Sequence, residues 1–428
     1  MIDGDFGRIE AANGAFAAMD LSRHVRPGDG VWWSQAGAEA TPLVDALLDA
    51  LPAIGPVRAF CGLTVNPRLR TPPDELSLTS YGALGELRHT GRLDVVPAHY
   101  SALPRLFAER LLPGDVGLVQ VAPPDRDGLC SLGIGADYAA DAVVHSRVLL
   151  AEINERMPRT TGTPGVPRER FAAVIETDRP LAPVPDRAPD AVDEAIAAHV
   201  AGLVDDGDTV QIGVGALPTA ILAGLSGHRD LGFHAGMLTD GVRRLVERGV
   251  ITGARKEIDR GMLVTGLAVG GPALYDRLPD LPVVFRPASH THAPEVLARL
   301  RRLVSINSAL EVDLTGQVGA ESVHGRALGA VGGQADFSGA AVRTGARSII
   351  ALRATAGGRS TVVAGLSGPV TTARADVDVV VTEHGVAHLR GSPLTERAAR
   401  LVAIAAPEHR DQLRRGLSQS RTVHGEGP

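Results

Sequence analysis

Gly30-Val-Trp-Trp-Ser34 is followed, after a short gap, by Thr41-Pro-Leu-Val-Asp-Ala-Leu-Leu-Asp-Ala50. The first run is a short apolar stretch of strand character. The second spaces its apolar residues at helical intervals and carries a proline near its first turn, where the missing N–H costs nothing. The same alternation continues downstream. Val116-Gly-Leu-Val-Gln-Val-Ala122, Ser146-Arg-Val-Leu-Leu-Ala-Glu-Ile153 and Ala172-Ala-Val-Ile-Glu-Thr177 are further β-rich runs. Strands that read as continuously apolar, set between helices, belong to a mostly parallel sheet covered on both faces. The expected fold class is therefore α/β.

At 428 residues the chain exceeds what one ordinary core organises, so two domains are expected. Asp178-Arg-Pro-Leu-Ala-Pro-Val-Pro-Asp-Arg-Ala-Pro-Asp190 carries four prolines in thirteen residues and reads as an extended linker. A helix from Ala191 to about Leu203 follows, then a second α/β series opening with Thr209-Val-Gln-Ile-Gly213. The boundary is placed near residue 188, giving domains 1–187 and 188–428. No repeat of 20–50 residues is evident.

Composition narrows the function. A 44% hydrophobic content, with 50 glycines and 29 prolines, is that of a globular chain with many tight connections. No stretch reaches the roughly 18 apolar residues that span a bilayer. Met1-Ile-Asp-Gly-Asp-Phe-Gly-Arg8 is acidic and has no apolar core of a signal peptide, so the cytoplasm is the expected location. The net charge of −6 and the lack of a basic block argue against a nucleic-acid partner. Cys61 and Cys130 are too few for a zinc site and sit in apolar contexts, as buried core thiols do. Lys256 is the only lysine, so a phosphate clamp would rely on arginine and backbone amides.

Gln211-Ile-Gly-Val-Gly-Ala-Leu-Pro218 begins like a dinucleotide fingerprint but has Pro218 where the third glycine should be. NAD is therefore not expected. Gly213 and Gly215 fit better as a strand-to-helix turn whose bare backbone lets an anionic ligand approach. Gly329-Ala-Val-Gly-Gly-Gln334 is a second glycine-rich loop. His290 and His292 lie near Glu295 without the spacing of a zinc helix, and no metal is expected.

Six blocks together resemble a known family. They are the 119–133 segment ending Asp-Gly-Leu-Cys-Ser-Leu-Gly133, Asn154-Glu-Arg-Met-Pro-Arg-Thr160, the 211–218 turn, Ile306-Asn-Ser-Ala-Leu-Glu-Val-Asp-Leu-Thr-Gly316 with its continuation to Ser322, the 329–337 loop, and Thr382-Glu-His-Gly-Val-Ala-His-Leu-Arg-Gly391. In this order they resemble the acetyl-CoA hydrolase/transferase family, which includes 4-hydroxybutyrate and butyryl-CoA:acetate CoA-transferases. The resemblance implies two open α/β/α domains of the CoA-transferase type with a cleft between them, and coenzyme A, bound as acyl-CoA, as the ligand.

It also assigns residues. Val331, Gly332, Gly333 and Gln334 fall on the family's G-V-G-G-Q loop, which lies against the thioester. With Gly213 and Gly215 they are the expected CoA-binding residues. Asn307 falls on the family's I-N-[ST]-A block beside the reacting thioester. Glu311 and Glu321 match acidic positions there and are expected to make structural hydrogen bonds. Leu231-Gly-Phe-His-Ala-Gly236-Met-Leu-Thr-Asp240-Gly241 departs from the pattern. The family's run is L-G-[IV]-H-[ST]-E-M-[FIL]-[ST]-D-G, and its glutamate attacks the thioester. Gly236 takes that position and supplies no nucleophile. On an unchanged backbone this leaves space for about two waters, at roughly 30 Å³ each. His234 is family-typical; it is a base if it faces that space and a structural histidine otherwise.

The N-terminal Trp32-Trp33 pair departs too. Neighbours on a strand point to opposite faces, so at most one can line a cleft, and core packing is the plainer reading. The expectation is an acyl-CoA-dependent enzyme in which water, an alcohol or an amine attacks the thioester directly. A carboxylate CoA-transferase with a displaced carboxylate and a non-catalytic acyl-CoA-binding protein are the alternatives. The expected partners are acyl-CoA and a small acceptor, and a homodimer stays open.

Overall fold

The computed structural model describes residues 19–184 and 187–415; the acidic run at Met1–Arg8 lies outside them. The chain forms two compact units. Of the described residues, the first holds 19–184 together with His234–Arg243 and Met262–Ala293. The second holds Arg187–Phe233, Arg244–Gly261 and residues 294–415. The units thus differ from the continuous stretches 1–187 and 188–428 in two exchanged segments.

The first unit is built on a parallel sheet of seven strands: β1 (Gly30–Trp33), β2 (Val57–Phe60), β3 (Leu76–Ser80), β4 (Leu93–Val95), β5 (Val116–Val121), β6 (Val148–Asn154) and β7 (Ala173–Thr177). Their spatial order is β4-β3-β2-β1-β5-β6-β7. Val31 pairs with Ala59 on one side and Val116 on the other, so the order reverses at β1. Every residue of β1 and β5 is buried, which explains their unbroken apolar reading. Helix α1 (Thr41–Ile54) takes Pro42 in its first turn and buries Leu43, Val44, Leu47, Leu48 and Leu51. Short helices α2 (Leu103–Ala108) and α3 (Asp137–His145) pack in the same unit.

Both tryptophans are wholly buried, in keeping with the core-packing reading. Trp33 packs with α1 in the aliphatic core. Trp32 points to the other face, edge-on to Phe107 and Tyr138, and its indole N–H donates to Ser146 Oγ at 2.8 Å. Cys61 and Cys130 are buried free thiols.

The proline-rich segment is laid down on the protein rather than hung between units. Leu181, Ala182 and Val184 are buried, and the Val184 amide donates to Gly270 O at 2.8 Å. Arg179 pairs with the fully buried Glu152 carboxylate at 2.6 Å.

In the second unit Asp190 caps α4 (Ala191–Ala201) in a reciprocal box with Asp193. Its sheet comprises β8 (Thr209–Ile212), β9 (Gly232–Phe233), β10 (Leu303–Ser308), β11 (Arg347–Ala351), β12 (Val379–Thr382) and β13 (Gly385–His388), in the order β9-β8-β10-β11-β12-β13. Only β13 runs antiparallel. Here the order reverses at β8. Helix α5 (Ala216–Gly224) follows β8. Helix α6 (Asp240–Glu247) ends at Gly249, whose φ of 73° closes the last turn as its place in the sequence suggests. Helices α7 (Gln334–Thr344) and α8 (Leu394–Ile404) complete the unit.

Candidate active site

Open parallel sheets bind ligands beyond the carboxyl ends of strands where the order reverses. In the first unit that place follows β1, and Gln35 sits there. Its side-chain amide donates to Tyr100 Oη at 2.9 Å and to Asp137 Oδ2 at 2.5 Å, while its carbonyl accepts from Tyr81 Oη and from the Leu63 amide, each at 2.9 Å. All four side chains are buried. Burial raises the Asp137 carboxyl to about 6, against the lowering effect of its hydrogen bonds from Gln35, the Ala139 amide and Tyr100. Burial likewise holds the Tyr100 phenol well above its ordinary value. Nearby, burial raises Glu39 to about 7 although its Oε2 accepts from Thr64 Oγ1 at 2.5 Å and from the Val65 amide at 3.2 Å.

Tyr100 carries this network to a histidine. Its ring centroid lies 4.7 Å from that of His292, tilted by 42°. His292 ends the short helix Ala288–Thr291 and is 4% exposed. Its Nδ1 lies 2.8 Å from Thr291 Oγ1, which is also 3.3 Å from Pro287 O. Burial lowers the His292 imidazole to about 3, so it is neutral at physiological pH.

His292 lies beside Gly236. A Cβ placed on Gly236 would be 2.9 Å from His292 Cε1 and 3.1 Å from Nε2. The backbone leaves little freedom to evade that contact, because Gly236 O accepts from the amides of Gly266 at 3.1 Å and Leu267 at 3.0 Å. The imidazole of His292 therefore borders the space expected at Gly236. His234 is fully buried, and its Nε2 donates to Thr291 O at 3.1 Å, since a carbonyl can only accept. That bond ties His234 to the turn bearing His292. It supports the structural reading of His234.

In the second unit the reversal at β8 places Gly213 and Gly215 at the strand's carboxyl end. Gly215 adopts φ 122° at the start of α5, a conformation that requires glycine, and nothing lies within 4 Å of a Cβ position on Gly213. On neighbouring β10, Asn307 forms a buried amide pair with Gln211, at 3.2 and 3.3 Å, and donates to Ser305 Oγ at 2.9 Å. Val331, Gly332, Gly333 and Gln334 are partly exposed ahead of and into α7. Gly332 has φ 53° with nothing within 4 Å of its Cβ position, and Gln334 donates to Thr372 Oγ1 at 3.1 Å. Gly329 differs: a Cβ there would lie 2.3 Å from Ala320 O, so it is a packing glycine. Glu311 accepts from the Ser367 amide and hydroxyl, and Glu321 from Thr371.

Two family models match, the N-terminal domain of acetyl-CoA hydrolase/transferase over residues 78–184 and its C-terminal domain over 270–417. The 4-hydroxybutyrate coenzyme A transferase of Clostridium kluyveri is 38% identical over 338 residues, covering 78% of this chain and 79% of that protein. The chain belongs to the acetyl-CoA hydrolase/transferase family. Solved structures place the fold in the same family. The crystal structure of RipA from Yersinia pestis superposes with TM-score 0.86 at 31% identity, and that of 4-hydroxybutyrate CoA-transferase from Porphyromonas gingivalis with 0.80 at 34%. Each alignment covers 94% of this chain and 96% of the other. A CoA thioester as substrate fits a member of this family.

Sequence reasoning identified Gly236 but not its neighbour. His292 lies 56 positions from Gly236 and shares no motif with it; among the described residues no group of three or more His, Cys, Asp or Glu is arranged to hold a metal. The Gln35–Tyr100–Asp137 network also escaped, because its members share no motif. Lys256 is fully buried, donates to Phe233 O at 3.2 Å, and is lowered to about 8 by burial. Its rarity was visible in the sequence; its burial was not. Among the described residues no helix is long and apolar enough to cross a membrane.

Proposed function

We propose that the protein is an acyl-CoA-dependent enzyme that moves the acyl group directly to a neutral acceptor, namely water, an alcohol or an amine, without a carboxylate nucleophile of its own. The observation that carries this reading is the crowding at Gly236. The resemblance puts the attacking glutamate there, yet any side chain at this position would start 2.9 Å from His292.

In the second unit we assign the turns at Gly213–Gly215 and Val331–Gln334, with Asn307, to the CoA thioester. Their open Cβ positions at Gly213 and Gly332 suit close backbone approach, and amides near a helix start suit an anionic or developing oxyanion group.

The test is release of free CoA, followed with a thiol reagent, from a panel of acyl-CoAs supplied without any carboxylic acid. The reading expects release in buffer, or on adding an alcohol or amine. Release that appears only when a carboxylic acid is added would reverse it in favour of ordinary CoA transfer.

A further inference from the structure

We propose that Gln211 is a positioning residue for the acyl-CoA step: it holds the side-chain amide of Asn307 the one way round that offers an N–H, and not the carbonyl, to the thioester oxygen. The inference rests on the assignment of Asn307 to the thioester made above and deepens it. It holds whichever acceptor attacks.

The network lies within the second unit. Gln211 on β8 and Ser305 on β10 are direct partners across parallel strands, and Asn307, two residues on, projects from the same face as Ser305. Gln211 Nε2 donates to Asn307 Oδ1 at 3.2 Å, Asn307 Nδ2 donates to Ser305 Oγ at 2.9 Å, and the Ser305 hydroxyl donates to Gln211 Oε1 at 2.9 Å. These three bonds close a ring. All three side chains are buried, so a partner lost here is not replaced by bulk water. The two ends of an asparagine amide have nearly the same shape, and its partners decide which end points where. The Ser305 hydroxyl can serve either end, as donor or as acceptor. Gln211 meets both ends at once, and its Nε2 gives the Asn307 carbonyl a donor.

The bond lengths also say which hydrogen a ligand can take. Besides its 2.9 Å bond to Ser305, Asn307 Nδ2 makes a longer one to Gln211 Oε1, at 3.3 Å. A thioester oxygen can share or take that second hydrogen, because Gln211 Oε1 still accepts from Ser305. The strand that carries Gln211 runs directly into Gly213, whose Cβ position is open, so the network ends where the backbone leaves room for a ligand. As negative charge gathers on the thioester oxygen, an N–H aimed at it stabilises the charge, whereas a carbonyl in its place opposes it.

The test compares the parent protein with Gln211→Glu and Gln211→Met, each across pH 5 to 9, with the acceptor class that gives CoA release in the parent. Acyl-CoA binding is followed by thermal shift and turnover by CoA release. Glutamate keeps the shape of glutamine, but its ionised carboxylate only accepts, so it draws the Asn307 N–H to itself and turns the amide round. The inference expects both variants to bind acyl-CoA with little change in KM and to lose roughly 10²-fold in kcat at the alkaline end. In Gln211→Glu the ratio to the parent should recover as pH falls, because the protonated carboxyl again donates to Asn307 Oδ1; in Gln211→Met the ratio should stay flat. Parent-like kcat throughout in either folded variant overturns the positioning role. A loss in Gln211→Glu that is as flat with pH as that in Gln211→Met also overturns it, since altered packing would then account for both. Parent-like turnover in Asn307→Ala, or a parent that binds acyl-CoA and releases no CoA with any acceptor, overturns the thioester assignment and this inference with it. Release that requires a carboxylic acid overturns direct attack alone, and the same two variants then decide the role of Gln211.

Discussion

The imidazole of His292 stands where a side chain on residue 236 would begin, with Cε1 2.9 Å and Nε2 3.1 Å from the Cβ position of Gly236. Neither residue explains itself alone. A glycine in a partly exposed turn is ordinary, and so is a desolvated neutral histidine. Together they set a neutral ring against a position that carries no side chain.

Placing a glutamate at position 236 tests that contact. Gly236→Glu should overpack the turn and destabilise the protein by about 1–3 kcal/mol. His292→Ala introduced alongside it should recover part of that loss, because it removes the atoms met by the new Cβ. Urea midpoints of the two single variants and the double variant measure the coupling. Additive losses would mean that the two side chains do not compete for space.

Gly329 and Gly332 lie three residues apart and should respond differently to valine. At Gly332 the Cβ position is open and φ is 53°, so valine strains one turn while projecting into space we assign to the ligand. Acyl-CoA affinity should fall at least about tenfold, about 1.4 kcal/mol, in a protein that still folds. At Gly329 the Cβ would strike Ala320 O at 2.3 Å, so folding itself should suffer. Calorimetric titration of both variants separates these effects, and parent-like affinity in Gly332→Val would mark its loop as a plain turn.

Stability should fall as pH rises from about 4 to 7. Burial raises Glu39 from 4.5 to about 7 and Asp137 from 3.8 to about 6. Between the unfolded and folded values the native state holds protons that the unfolded chain has released, so stability declines with pH. Each group should contribute a loss on the order of 3 kcal/mol across its window. Glu39→Gln should remove its share and make the protein more stable than the parent at pH 8. Urea unfolding at pH 5 and pH 8 checks this, and an unchanged pH slope in Glu39→Gln would exclude Glu39 as its source.

Acyl-CoA should stabilise the protein against heat, and NAD should not. A ligand present at 100 times its dissociation constant adds about 2.7 kcal/mol to the native state. The physical basis is the 211–218 turn, where Pro218, inside α5, replaces the last glycine of a dinucleotide fingerprint. A melting shift with NAD and none with an acyl-CoA panel would contradict the assignment of these turns.

Local chemistry made much of the architecture legible. Pro42 in the first turn of α1, the capping Asp190 before α4, and Gly249 at the end of α6 act through their own backbones, so their roles can be read without knowing what packs against them. The buried strands were legible for a similar reason, since β1 and β5 must be apolar on both faces. Gly215 and Gly332 were singled out by pattern, and their positive φ angles agree with the need for glycine there. What remained hidden depends on contacts across long stretches of chain. His292 meets Gly236 because the 262–293 segment folds onto the first unit. Gln35 meets Asp137 across 102 positions because both lie beyond the sheet at its reversal. The Trp32-Trp33 pair shows the same limit: alternation gave opposite faces, but only packing decides that both faces are interior.

The most direct measurement is intact-mass analysis of the protein after brief incubation with an acyl-CoA, with and without borohydride. The account predicts release of free CoA while no acidic residue carries CoA as a thioester, and no residue is reduced to the corresponding alcohol by borohydride. A CoA adduct on an aspartate or glutamate, or its borohydride-reduced product, would show that the protein uses a displaced carboxylate and would contradict direct attack.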